Sequence, residues 1–223
     1  KKLGYHLKLS KVDGIYDNVK TNGLKIIDVD LKFKNEFNVS RDLSSKFIKN
    51  CLNLGHELGM NKDIKGIINC AISKVHLNDN KGVTEFLAKK CNLKKNTEVM
   101  LISNSKFSVS PLTTHINISK VSKNLKKNLI INKVKTIINC YKKYFNKRPK
   151  IGVLGFNPHN SEYRKNSEEL KIIIPALNNL RRKGINLKGP LVPDTVFINQ
   201  YKKYDIILGM YHDQVLTPFK ALF

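Results

Sequence analysis

The sequence contains no tryptophan, and only three methionines and seven prolines occur among its 223 residues. Its apolar runs all fall far short of the roughly 20 residues that a helix needs to cross a bilayer. No apolar segment with a small-residue cleavage site opens the chain, so no secretory leader is expected. We therefore expect a soluble protein without a membrane partner, built on one sizeable core or on two lobes that share an interface.

Cysteine is also scarce, with four residues at positions 51, 70, 91 and 140. None of them forms a C-x-x-C pair, which argues against a zinc ribbon and against a thioredoxin-type site. Free thiols are typical of a reducing compartment, and the sequence therefore predicts a cytoplasmic protein.

Acidic residues are few, because 17 Asp and Glu stand against 41 Lys and Arg, and the formal net charge is +24. Such a charge suggests a polyanionic partner. However, the lysines are spread along the whole chain, and the aromatic residues that stack on nucleic-acid bases make up only 8% of it. We interpret the charge as a solvated basic surface that still attracts phosphorylated substrates, and nucleic acid is not the expected partner.

Apolar runs of strand length alternate with stretches of helical spacing, which predicts an α/β fold with a mostly parallel sheet. The predicted strands are 66–73, 98–103, 111–116, 150–156 and 204–212, with a short early strand at 24–29. The predicted helices begin at Ser40 and at Thr84, each a plausible N-cap, and cover 119–144 and 168–183, the last interrupted by Pro175. No internal repeat is present.

Three of the six histidines follow predicted strands, namely His115, His159 and His212. Ligands of open α/β sheets gather beyond the carboxyl ends of the strands, and neutral imidazole is a common ligand for divalent metals. Three such residues at one edge would form a metal site with positions open to substrate. The alternative is that each is an ordinary loop histidine, since their spacing matches no local zinc motif.

Two lysines are predicted at the same edge, because Lys74 follows the strand predicted at 66–73 and Lys220 follows the one at 204–212. An ammonium group in that position would bind a substrate phosphate or carboxylate. The alternative is a surface lysine among many.

Several segments together resemble the 4-hydroxythreonine-4-phosphate dehydrogenase family of vitamin B6 biosynthesis, from about residue 22 to residue 220. They are VTEFLAKK, VMLISNSKFSVSPLTTHI, PKIGVLGFNPHNSE, IIIPALNNLRRKGINLKGPLVPDTVF and YDIILGMYHDQ. The last three in this order and spacing are highly specific.

This resemblance implies an isocitrate/isopropylmalate-dehydrogenase-like fold, in which two α/β lobes flank a cleft and two subunits of a homodimer complete each other's sites. Residues 1–223 would form a single truncated two-lobed unit without the family's terminal segments, with the switch between lobes near 145–150. The family binds NAD without a G-x-G-x-x-G fingerprint, and this chain also lacks one.

The resemblance also implies roles for particular residues. The TTH, NPH and YHDQ motifs would supply the metal ligands His115, His159 and His212, for zinc before magnesium, cobalt or manganese. The remaining site residues would be Thr84 and Lys220 for substrate, and Lys74 and Asp213 for catalysis. Asp213 would orient a ligand or relay a proton, and a loop-capping aspartate is the alternative.

The implied reaction is the NAD-dependent oxidation and decarboxylation of 4-phosphooxy-L-threonine to 3-amino-2-oxopropyl phosphate. The chain departs from the family at Val83, where a substrate-binding histidine is usual, at Asn160 and Ser161, where Ala-Gly is usual, and at Val215, where glycine is usual. Two other functions stay open: a related dehydrogenase acting on threonate or erythronate phosphate, which Val83 favours, and a non-enzymatic basic binding module.

Overall fold

The computed structural model describes residues 7–35, 37–77, 82–94 and 97–223. Contacts divide the chain into two compact units, Lys1–Asn92 and Leu93–Phe223. Residues 145–150, where the switch between lobes is predicted, lie inside the second unit. Within the described ranges, no helix is both long enough and apolar enough to span a lipid bilayer.

In the part of the first unit that the structure describes, two short parallel strands and two helices occur. Its elements are β1 (Leu9–Val12), β2 (Leu24–Ile27), α1 (Arg41–Met60), a 3-10 turn (Lys74–His76) and α2 (Val83–Lys90). The hydroxyl oxygen of Ser40 accepts a hydrogen bond of 3.4 Å from the amide of Leu43 and so caps α1, which confirms the predicted helix start.

Two predictions for this unit are wrong. Residues 66–73 do not form a buried strand: they are irregular and mostly exposed, and Ile68 is fully exposed. Their apolar run has no neighbouring strand to pair with among the described residues, and a strand needs such a partner to satisfy its backbone. Thr84 is not an N-cap, because α2 begins one residue earlier after Gly82, whose amide donates to the carboxylate of Glu85 over 2.9 Å.

The second unit is built on a five-stranded sheet with the order β3-β4-β7-β5-β6. Its strands are β3 (Ile102–Ser103), β4 (Ser108–Thr113), β5 (Ile151–Leu154), β6 (Leu187–Leu191) and β7 (Ile206–Tyr211). Among the described residues of this sheet, the short edge strand β3 is antiparallel to its neighbour β4, and the other pairings are parallel. The predicted α/β fold with a mostly parallel sheet is therefore confirmed.

Helices cover both faces of this sheet, which explains why β5 and β7 are apolar without alternation. The helices are α3 (Val121–Asn124), α4 (Lys127–Phe145), α5 (Ile174–Arg181), α6 (Pro193–Val196) and α7 (His212–Leu222). One core cluster includes Ile130 of α4 and Leu177 of α5, and a second includes Val215 and Phe219 of α7.

The two long helices predicted in this unit are each interrupted. In the first, Leu125 is extended and fully buried between α3 and α4, so a core contact breaks the helical run. In the second, a π-helical turn (Glu169–Ile173) precedes α5, and Pro175 lies in the first turn of α5, where its missing N–H is not needed. Gly184 follows α5 in the left-handed region with φ of 73°, as expected for a C-terminal glycine.

Candidate functional site

The strand order places the three histidine-bearing strands side by side. β7 lies between β4 and β5 and runs parallel to both, so their carboxyl ends share one edge of the sheet. His115, His212 and His159 follow the ends of β4, β7 and β5, respectively. This edge is where an open α/β sheet binds its ligands.

His115 and His212 lie next to each other at this edge, with ring centroids 6.0 Å apart. Strand pairing sets their proximity, because Thr113 of β4 is in register with Tyr211 of β7. Two imidazoles that share one tetrahedral zinc ion through bonds of about 2.0–2.1 Å have centroids roughly 5–6 Å apart. The spacing of this pair therefore fits a shared divalent metal.

The ring of His212 also has a defined hydrogen-bond partner. Its Nδ1 lies 2.7 Å from Oδ1 of Asp213, whose side chain is 79% exposed. When Nδ1 carries the proton and donates to this carboxylate, Nε2 presents its lone pair outward. A carboxylate behind a histidine is a common way to orient a metal ligand.

His159 does not join this pair. It begins a turn in which five consecutive non-glycine residues, His159 to Tyr163, have φ between 48° and 57°. The side chain of His159 is exposed. Across residues 7–35, 37–77, 82–94 and 97–223, no group of three or more His, Cys, Asp or Glu side chains is arranged to hold a metal ion. The structure thus brings His115 and His212 together, and the role of His159 as a third ligand stays a prediction.

The residue after His159 anchors this left-handed turn. Asn160 is 2% exposed and donates from Nδ2 to the carbonyl oxygen of Pro190 over 3.2 Å. Its Oδ1 occupies the space beside Gly155, where a Cβ would lie only 1.9 Å away. Asparagine tolerates the left-handed region better than most residues. Asn160 therefore fixes the turn. It is the first of the two residues, Asn160 and Ser161, that stand where the family resemblance leads us to expect Ala-Gly.

Sequence reasoning missed two polar residues behind the edge. Glu169 is fully buried, and Gln214 bridges the ends of β5 and β7 by accepting from the amide of Met210 over 2.7 Å and donating to the carbonyl of Gly155 over 2.8 Å. Glu169 lies in the helix predicted at 168–183, and nothing in its sequence context indicated that its carboxylate is buried. Gln214 is adjacent to the His212-Asp213 pair in sequence, and that adjacency was the available signal.

Lys220 lies on α7, which begins at His212. Eight residues separate the two, which corresponds to about 12 Å along the helix axis. The side chain of Lys220 is exposed. Within this unit, the structure does not bring Lys220 to the histidine pair.

Lys74 and Thr84 belong to the first unit. Both side chains are exposed: Lys74 begins a 3-10 turn, and Thr84 is in the first turn of α2, next to the half-buried Val83. Lys74 does not follow a strand, in contrast to the prediction, because residues 66–73 form none. The proposed roles of both residues stay predictions.

Comparison with known proteins identifies relatives along nearly the whole chain. Residues 3–223 match the family model described as pyridoxal phosphate biosynthetic protein PdxA. The 4-hydroxythreonine-4-phosphate dehydrogenase of Sulfurihydrogenibium sp. strain YO3AOP1 is 35% identical over 98% of this chain and 68% of its own length. The enzyme of the same name from Aquifex aeolicus strain VF5 is 44% identical over 63% of this chain and 43% of its own length.

Solved structures agree with these relatives. A putative 4-hydroxythreonine-4-phosphate dehydrogenase from Salmonella typhimurium matches with a TM-score of 0.83 and 27% identity, over 97% of this chain and 68% of that one. The 4-hydroxythreonine-4-phosphate dehydrogenase from Klebsiella pneumoniae matches with a TM-score of 0.85 and 25% identity, over 98% of this chain and 68% of that one. The chain thus spans about two thirds of the length of these solved relatives.

Proposed function

The chain belongs to the pyridoxal phosphate biosynthetic protein PdxA family, and from this membership we propose that the complete protein is a 4-hydroxythreonine-4-phosphate dehydrogenase of vitamin B6 biosynthesis. In this proposal, NAD would supply the hydride acceptor for oxidation of the secondary alcohol of 4-phosphooxy-L-threonine. The resulting β-keto acid loses carbon dioxide and gives 3-amino-2-oxopropyl phosphate. The observation that carries the proposal is the His115–His212 pair at the carboxyl edge of the parallel sheet.

The donor set of this pair suits a divalent metal, with zinc first because imidazole ligands favour transition metals. A cation held there would supply a Lewis acid that lowers the pKa of the substrate hydroxyl and stabilises an enolate. Among the chain's own residues, Asp213 lies 2.7 Å from Nδ1 of His212, which would leave Nε2 of that ring to bind the cation. His159 is the proposed third ligand, and its left-handed turn would have to bring the ring closer to the pair.

We propose that Thr84 and Lys220 contact the substrate and that Lys74 and Asp213 take part in catalysis. The net charge of +24 favours the approach of a phosphorylated anion. The proposal includes a cytoplasmic homodimer with shared active sites, in line with the implied family architecture.

A second candidate function is the oxidation of threonate or erythronate phosphate by the same site. Val83 favours it, because valine at the start of α2 cannot form the hydrogen bond that a histidine would give to the substrate. Val83→His should therefore lower KM for 4-phosphooxy-L-threonine if this is the true substrate. A better KM for threonate phosphate in the unsubstituted protein would support the second candidate.

The first test measures NADH formation by the complete protein with each of the three phosphorylated hydroxy acids, in the presence of zinc, magnesium, cobalt or manganese. The second measures the metal content of the unsubstituted protein and of His115→Ala, His159→Ala and His212→Ala. His56→Ala in α1 is the matched control and should retain its metal. Full metal occupancy in all three site variants would reject the assignment.

A further inference from the structure

The carboxylate of Glu169 is completely buried at the start of the π-helical turn. A buried carboxylate is strongly unfavourable unless hydrogen bonds replace its water. Its Oε1 accepts from the backbone amides of Phe156 and Asn157, each over 2.8 Å, and its Oε2 accepts from Nδ2 of Asn157 over 3.0 Å. No ion pair to Glu169 occurs among the residues that the structure describes. The hydrogen-bond donors to this carboxylate thus come from the loop that follows β5.

The adjacent residue, Glu168, also accepts a hydrogen bond from the side chain of Asn157. Its Oε2 accepts from Nδ2 of Asn157 over 2.9 Å, and its Oε1 accepts from the hydroxyl of Ser122. Burial raises the pKa of Glu168, but the hydrogen bonds from Ser122 and Asn157 outweigh burial, and its pKa lies below the usual value. The amide of Asn157 is therefore held between two adjacent carboxylates, two residues before His159.

Both carboxylates stand at the start of the π-helical turn, which begins at Glu169 and precedes α5. From these adjacent positions, both carboxylates accept hydrogen bonds from Nδ2 of Asn157.

The other side of the loop is tied to the strand that ends at His212. Gln214 donates from Nε2 to the carbonyl oxygen of Gly155, one residue before Phe156, and accepts from the amide of Met210. The loop after β5 is thus fixed at two points, by Glu169 and by Gln214. His159 lies between this part of the loop and Asn160, which is held separately by the carbonyl oxygen of Pro190.

We propose that Glu169 is a positioning residue, which holds the loop 155–157 so that His159 is presented to the edge where His115 and His212 pair. This inference rests on the proposed metal site, but Glu169 itself would touch neither metal nor substrate. The carboxylate orients the main chain just before the predicted third ligand, as hydrogen-bonded partners behind metal ligands commonly do.

The test compares Glu169→Gln with Glu162→Gln, a matched loss of charge at an exposed glutamate close to the same histidine. Glu169→Gln replaces the charged acceptor by a neutral one and places an NH2 group against Nδ2 of Asn157. We expect zinc affinity, measured by competition with a chromogenic chelator, to fall about 10- to 100-fold in Glu169→Gln and to stay within about twofold in Glu162→Gln. Hydrogen exchange should also show loss of protection at the Phe156 and Asn157 amides.

Asn157→Ala is the second variant, because it leaves Glu169 with its two backbone donors and avoids the burial of an unsolvated charge. We expect its zinc affinity to fall in the same direction by about 3- to 10-fold, as a partial version of the same loss. If Glu169→Gln does not fold, the zinc affinity of Asn157→Ala tests the proposal. Unchanged zinc affinity in a folded variant whose two amides have lost protection would overturn the proposal.

A protein that binds no zinc in its unsubstituted form would reject the metal site, and the positioning role is then read from the His159 ring. Nitrogen-15 spectra of the imidazoles should show shifted and broadened His159 signals in Glu169→Gln, whereas the His56 signals should not change. His159 signals identical to those of the unsubstituted protein would overturn the positioning role independently of metal binding.

Discussion

The hydroxyl of Thr113 donates a hydrogen bond of 2.8 Å to the main-chain carbonyl oxygen of Met210. The two residues belong to neighbouring parallel strands, and each precedes by two positions one member of the His115–His212 pair. This contact therefore fixes the relative height of the strand ends from which the two imidazoles project.

Thr113→Val should weaken both the fold and the histidine pair. Valine keeps the shape of the side chain but leaves the carbonyl of Met210 without this donor, which should lower the free energy of unfolding by about 1 kcal/mol. Urea denaturation measures the change. Thr136→Val on α4 is the control, since its hydroxyl bonds only to the carbonyl of Asn132 in the same helix, and its zinc affinity should not change. Equal zinc affinity in Thr113→Val and Thr136→Val would contradict the role assigned to Thr113.

Gln214→Leu should destabilise the second unit more strongly. The substitution removes the partner of the buried amide of Met210 and of the buried carbonyl of Gly155. Two such groups left unpaired should together lower the free energy of unfolding by about 2–4 kcal/mol. Gln200→Leu, at an exposed position, is the matched control and should change stability by no more than about 0.5 kcal/mol. Thermal unfolding would refute the bridge if both variants melted at the same temperature.

Ser161→Gly should stabilise the protein. Ser161 has a φ of 52°, where a side chain on an L-residue is strained by roughly 1–2 kcal/mol, whereas glycine is free of that strain and loses part of the gain to its greater unfolded-state entropy. We expect the free energy of unfolding of Ser161→Gly to rise by about 0.5–1 kcal/mol, measured by urea denaturation. Ser161→Ala keeps a Cβ and should give no gain.

Gly184→Ala tests the same argument in the opposite direction. Gly184 has a φ of 73° and no atom within 4 Å of the position that a Cβ would take, so only backbone strain opposes the substitution. Urea denaturation should show that the free energy of unfolding falls by about 1 kcal/mol in Gly184→Ala. A stabilising Gly184→Ala would contradict the assigned left-handed conformation.

Asp205 should make stability depend on acid pH. Burial raises the pKa of Asp205, but its hydrogen bond to Lys147 at 2.5 Å and the amide of Lys150 at 2.7 Å outweigh burial, and its pKa is lowered in the folded protein. A lowered folded-state pKa means that the stabilisation is complete above the unfolded pKa of about 3.9 and is lost as pH falls through the folded value. Asp205→Asn should therefore lower stability by about 1–2 kcal/mol at pH 7.

The pH dependence supplies the control for that substitution. The difference between Asp205→Asn and the unsubstituted protein should shrink as the pH falls from about 4 through the lowered folded-state pKa of Asp205, because below that pKa both proteins carry a neutral group at this position. Asp194→Asn, at an exposed site on α6, should show no such convergence. A stability difference that stays constant from pH 7 to acid would disprove the assigned ionisation.

The sequence by itself determined the elements whose signals are local. The runs that became β5 and β7, the capped start of α1 and the glycine after α5 were predicted, because apolar continuity, an N-cap serine and a C-terminal glycine act within a few residues. The placement of His115, His159 and His212 after strands was also predicted. Two failures arise from contacts outside the local pattern: residues 66–73 have an apolar run but no partner strand among the described residues, and Leu125 interrupts a helical pattern to enter the core.

Only the tertiary structure decided which histidines meet. Strand order is a property of long-range pairing, and no local pattern states that β7 inserts between β4 and β5. That insertion places His115 beside His212, whereas the buried amide of Asn160 holds the turn of His159 through a hydrogen bond to Pro190, which is 30 residues away in sequence. The chemistry of histidine identified the candidate ligands in the sequence. Their geometry is set by the pairing of remote strands and by the buried polar groups that hold the loop after β5. The sequence could not predict this geometry, because these contacts form only when the chain has folded.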